Sequence, residues 1–204
     1  MAVLVCGCAS PSERVHPQFL NYRQSMGVML LLQPEIRIFE QMPDGSQLFH
    51  ESQSRQAQSN AQSSIARALR DRAFTVRTMD MQTRAEADVN DVTMLFRSVN
   101  RSIQLHTFGP QIYPDKLDNF EYSVGPVDKL LKAAGADGLV MAIGYQTGAG
   151  KPDKNWFSIA VVDPQGDVIW YHLTSAPEHF DFQHQEGISA LVAETMHNFW
   201  EQGS

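Results

Sequence analysis

The sequence predicts an α+β domain of two-layer, α/β-like type: a mixed β-sheet with helices largely on one face, ending in a β-hairpin and a terminal helix. Three observations carry this. Short apolar or alternating runs interchange with stretches of helical period, Asp163-Pro164-Gln165-Gly166 joins two strand-like runs, and the last apolar positions (Ile188, Leu191/Val192, Thr195/Met196, Phe199) recur at helical spacing.

Residues 1–25 read as a lipobox-like segment followed by an aperiodic tether, and 26–204 as one α/β domain. Gly27 to Leu32 is a continuous apolar run that suits a buried strand. Ile36 to Glu40 alternates, Met42-Pro43-Asp44-Gly45 signals a turn, and Gln47 to His50 returns as a strand. From Ser54 to Arg72 the apolar positions Ala57, Ala61, Ile65 and Ala68/Leu69 make a narrow helical face of small residues, which predicts close packing on a sheet. Phe74 to Met79 alternates as a strand. Asp88 is placed to cap a second helix with the stripe Val92, Leu95/Phe96, Val99 and Ile103. Thr107 to Tyr122, with Gly109-Pro110 and Pro114, breaks the pattern and predicts a long loop. Pro126 suits the first position of a short helix that buries Val127, Leu130, Leu131 and Ala134 and stops at Gly135. Gly138 to Tyr145, Trp156 to Val162 and Asp167 to Leu173 read as strands, the last two as a hairpin; a helix from about His184 to Trp200 closes the chain.

Composition narrows function. The chain has 204 residues, 43% of them hydrophobic, and a formal net charge of −7. No segment concentrates Lys and Arg, so a phosphate backbone would be repelled and nucleic acid is excluded as an expected partner. The longest apolar run, Met26 to Leu32, is too short to span a bilayer.

The only two cysteines, Cys6 and Cys8, lie near the start. Val5-Cys6-Gly7-Cys8 resembles a lipobox, in which Cys8 would be the acylated residue. The lead from Met1 to Leu4 is shorter than a signal peptide and carries no basic residue, so either the start lies upstream of Met1 or the likeness is accidental. Residues two apart make a poor disulfide. With Ala9 and Ser10 after Cys8, rather than Asp, the sorting pattern of Gram-negative lipoproteins implies the periplasmic face of the outer membrane, with the lipid as the membrane attachment.

Gly135-Ala136-Asp137, between a short helix and a strand, and the hairpin Val162-Asp163-Pro164-Gln165-Gly166-Asp167-Val168 resemble a known group. It comprises periplasmic lipoprotein domains with an anticodon-binding-like α/β fold: the curli-secretion lipoprotein, lipoprotein activators of penicillin-binding proteins, and the amino-terminal domain of the Tol-system propeller protein. The resemblance covers about Met26 to Leu173. It implies a non-enzymatic module that binds other envelope proteins or self-associates in export or cell-wall machinery, without a cofactor. Both motifs also have structural readings, Gly135 as a helix stop and Asp137 as a turn cap.

Candidate chemistry is sparse. Gly148-Ala149-Gly150-Lys151 lacks the first Gly and the following Ser or Thr of a phosphate loop, having Tyr145 and Pro152 there. His179, Asp181 and His184 supply ligand types for a metal, and the competing function is a soluble metal-dependent or small-ligand-binding enzyme using this region; as cap and anchors, Asp181, Phe180 and Phe182 would instead seat the last helix. His172 reads as an exposed strand histidine. Tyr113, Phe120, Tyr122, Trp156, Trp170 and Tyr171 fall on loops or on the terminal hairpin and are candidate interface anchors, unless they complete the core. The outer edge of that hairpin would admit an added strand.

Overall fold

Strand β6 (Gly138–Thr147) organises the molecule, because nearly every residue along it is buried. The computed structural model describes residues 13–79, 86–110, 115, 119–147, 155–175, 181–197 and 199. One edge of β6 holds two parallel strands laid end to end: β2 (Val28–Leu31) beside residues 138–140, and β3 (Glu35–Gln41) beside 143–147. The Gln33-Pro34 bend makes this possible by stepping the chain from one register to the next. On the other edge β7 (Trp156–Val162) runs antiparallel, followed by β8 (Val168–Ser175). Outside these lie β5 (Thr75–Thr78), parallel to β2, and β4 (Gln47–Phe49), antiparallel to β3. The result is the mixed open sheet that the sequence predicts, with the C-terminal hairpin and terminal helix in place.

Helices cover both faces of this sheet, which corrects the expected placement of helices largely on one face. On one face α1 (Phe19–Ser25), α2 (Glu51–Arg70) and α5 (Gln185–Thr195) pack on Leu31, Ile36, Val140, Phe157 and Ile159. On the other, α3 (Glu86–Phe108) and α4 (Asp128–Ala134) pack on Leu30, Leu139, Met141, Ala160 and Val162. The physical sign is the unbroken apolar run of β6, since a strand wet on one face would alternate. Helix α2 approaches its face closely through Ala57 and Ala61, both wholly buried, as its narrow stripe predicts.

Three local expectations are corrected. Residues 13–25 are not a tether: β1 (Glu13–Val15) pairs antiparallel with β8, and Phe19 is 2% exposed in the core. Three residues are too few to show a period, so the strand is invisible in the sequence. Asp88 lies within α3 (Glu86–Phe108) and not ahead of it, and α4 begins at Asp128, two residues after Pro126. Pro126 instead belongs to a loop that docks on the β7–β8 turn, where the N–H of Val124 donates to the Gly166 carbonyl at 2.8 Å and that of Val127 to the Pro164 carbonyl at 3.3 Å. Gly166 has φ +92°, and a Cβ there would stand 1.8 Å from the Gly125 oxygen.

No helix among the described residues is long and apolar enough to cross a membrane. Cys8, with the rest of residues 1–12, lies outside the described residues, as do Tyr113, His179, Phe180 and the Gly148–Lys151 segment.

Candidate functional site: an aromatic and arginine cleft

Alternation along β3 sends Ile36 and Ile38 into the core beneath α2, and leaves Glu35, Arg37 and Phe39 on the face toward α3. Helical spacing does the matching work opposite. Arg97, Asn100, Arg101 and Gln104 stand at i, i+3, i+4 and i+7 and share one side of α3. Between the two rows Ile143, Gly144 and Tyr145 of β6 and Trp156 of β7 form a wall and floor. These residues enclose an open cleft of about 280 Å³.

Its aromatic wall is a ladder. Tyr145 and Trp156 are directly paired across β6 and β7 and stack with ring planes 13° apart, while Phe39 packs on the other side of Tyr145 at 5.3 Å between centroids. The Tyr145 hydroxyl donates to Gln47 Oε1 at 3.1 Å, which fixes the ring. Three arginines line a cleft with a single carboxylate. That carboxylate, Glu35, receives Arg37 through Nε and Nη2, both at 2.8 Å, and Arg97 through Nε. At the floor Asn100, 3% exposed, accepts from the Ser158 hydroxyl at 2.9 Å and the Tyr171 hydroxyl at 2.8 Å. Burial pushes the Tyr171 hydroxyl far above the ordinary phenol range, and nearby Gln104 and Ser158 offset only part of it, so it stays a neutral donor.

Of the six aromatics proposed from sequence as interface anchors, Trp156 lies in this cleft, half-buried. Trp170 and Tyr171 are corrected: both are wholly buried, on opposite faces of β8. Trp170 packs on Phe199 and donates from Nε1 to Glu13 Oε1 at 2.6 Å, so β1 and the terminal helix cover what the sequence left open. The same pairing occupies the β8 edge at Trp170–His172, where strand addition was expected. Phe120 is also a core residue, 2% exposed, with the Arg14 guanidinium 5.5 Å above its ring. Tyr122 is half-buried against Phe120, and its hydroxyl meets His106 Nδ1 at 2.8 Å.

Of the expected metal residues, His179 lies outside the described residues, and Asp181 and His184 pair with each other. Asp181 Oδ2 pairs with His184 Nδ1 at 2.5 Å, while Asp181 Oδ1 accepts from the N–H of Gln183, an ordering of the chain before α5. Phe182 is the anchor, buried against Phe157. Among the described residues no three His, Cys, Asp or Glu side chains are grouped to hold an ion. His172 is buried, 7% exposed, rather than an exposed strand histidine, and desolvation pushes its pKa down to about 4.

Sequence reasoning missed Arg37, Arg97, Arg101 and Tyr145. Their signals were present, in the alternation after Glu35 and the one-turn spacing along α3, but nothing in the sequence says that β3 lies opposite α3.

Fold and site together define an open, mixed-sheet α+β domain with a donor-rich surface cleft. No protein-family model matches the chain, and no curated protein matches it in sequence. Solved structures similar to it include the PelC dodecamer from Paraburkholderia phytofirmans (10% identity, 90% of this chain and 91% of that chain covered, TM-score 0.43). They also include the lipoprotein GNA1162 from Neisseria meningitidis (11% identity, 87% and 99% covered, TM-score 0.38). A third is the LpoB C-terminal domain from Salmonella enterica (14% identity, 78% and 91% covered, TM-score 0.34). These matches fall within the group that the two sequence motifs resemble, and at such TM-scores they carry no inference about what the chain does.

Proposed function

We propose that this chain is a bacterial envelope lipoprotein, anchored through Cys8 at the periplasmic face of the outer membrane, that acts without catalysis as a docking module for other envelope proteins. The observation that carries the docking role is the cleft of Trp156, Tyr145, Phe39, Arg97 and Arg101. Trp, Tyr and Arg are the side chains enriched at the energetic centres of protein interfaces, because they combine large flat area with directed donors. The anchor rests on the Val5–Cys8 pattern, and the envelope setting on the sequence motifs at 135–137 and 162–168.

Affinity capture from envelope extracts with wild type, Trp156→Ala and Tyr145→Ala chains tests the docking role, followed by reconstitution with the purified partner that mass spectrometry identifies. Loss of the reconstituted complex in both variants, with unchanged circular dichroism, is the expected result; retention in both refutes the cleft as the docking site. Metabolic labelling with palmitate tests the anchor, with label lost in Cys8→Ser. Unlabelled wild-type protein expressed from its native upstream sequence removes that part of the reading.

A further inference from the structure

Donors in the cleft outnumber acceptors. The Oδ1 of Asn100 is taken by the hydroxyls of Ser158 and Tyr171, which leaves the Nδ2 of this cleft-lining residue as its remaining donor. One turn along α3, Gln104 has its Nε2 buried beside the Tyr171 hydroxyl and closed to an incoming group. Arg101 sits on the same helix face, exposed, and is not among the ion pairs formed by the described residues. The one carboxylate present, Glu35, is already committed to Arg37 and Arg97. What remains for an incoming group is the Asn100 amide, the Arg101 guanidinium, and the flat faces of Trp156 and Tyr145 beside them.

A neutral amide beside an uncommitted guanidinium matches a negatively charged group with two acceptor oxygens, and the ring ladder matches a flat neighbour. Resting on the docking reading above, we infer that the cleft takes a carboxylate carried next to an aromatic side chain on the partner's chain: an Asp or Glu flanked by Phe, Tyr or Trp. The carboxylate meets Arg101 and the Asn100 amide. Its aromatic neighbour lies on Trp156.

The test titrates the ¹⁵N-labelled full chain with two acetylated, amidated peptides, Leu-Phe-Asp-Phe-Leu and Leu-Phe-Asn-Phe-Leu, with benzoate as a third probe. The Asp peptide is expected to shift resonances at 97–104 and 143–145 and the Asn100 side-chain amide. It should bind about tenfold tighter than the Asn peptide, as one charge-assisted contact predicts. Arg101→Gln, a surface change, should erase that difference, and Trp156→Ala should weaken both peptides. Equal affinities, or shifts confined to another surface, overturn the inference; so does benzoate binding as tightly as the Asp peptide, which would make this a small-carboxylate site. The two readings fail separately. If partner capture still depends on Trp156 while neither peptide binds, docking stands and the carboxylate inference falls; if capture ignores Trp156, the docking reading falls.

Discussion

Replacing Asp137 by alanine removes a tie between chain segments more than a hundred residues apart. Its Oδ2 accepts the N–H of Gly27 at 2.9 Å and of Val28 at 2.8 Å, and its own N–H donates to the Val28 carbonyl at 2.7 Å. The side chain therefore holds the first residues of β2 in register with the start of β6. A hydrogen bond to a charged group contributes about 1.5–3 kcal/mol when protected from water. Asp137 is exposed, so each bond deserves roughly half of that, and Asp137→Ala should cost about 2–3 kcal/mol. Asp137→Asn keeps an acceptor and loses the charge, for about 1 kcal/mol. Urea denaturation followed by far-UV circular dichroism measures both, and the larger loss corresponds to a fall in Tm of about 4–10 °C for a chain of this size. An alanine variant within about 0.5 kcal/mol of wild type would refute the claim that this contact fixes the β2–β6 junction.

Other outcomes rest on the same kind of geometry. Gly166→Ala should cost about 3 kcal/mol or more by thermal unfolding, since φ is +92° and the new Cβ would meet the Gly125 oxygen. Trp170→Ala should destabilise by about 3–5 kcal/mol in denaturant, as expected of a wholly buried ring and not of a surface anchor. His172 gives a pH signature. Its folded pKa, about 4, lies below the free value near 6.5, so the unfolded chain binds more protons between those limits. Stability from this group is complete above about pH 6.5 and is lost as pH falls toward 4. The full shift would correspond to about 3 kcal/mol, which residual solvent screening reduces to about 1–2. Comparing urea midpoints of wild type and His172→Gln between pH 4 and 7 isolates it, and parallel profiles would contradict the assignment.

The sheet was legible because its strands obey local rules: the alternation of Ile36 and Ile38, the apolar run through Val140, and the Asp163–Gly166 turn each state their own conformation. Gly135 ends α4 in the left-handed conformation its place in the sequence demands, with φ +60°. The features that stayed hidden depend on distant partners. Trp170 and Tyr171 read as exposed because part of the cover comes from β1, whose Glu13-Arg14-Val15 carries no pattern of its own. The cleft is a product of tertiary juxtaposition. Arg97 and Arg101 look like an ordinary solvated helix face until β3 brings Glu35 and Arg37 opposite them.

The end-to-end seating of β2 and β3 on β6 also sets an order of events. In a chain emerging from the ribosome, or threaded unfolded through a translocon, only the β2–β5 and β3–β4 pairings can form before residue 138 appears. Every other ladder among the described strands needs β6, β7 or β8, and β1 waits for the last of these. Closing such long loops is slow, so the amino-terminal two-thirds stays open until the last third arrives. A protein arranged in this way completes its sheet only once almost the whole chain has been delivered.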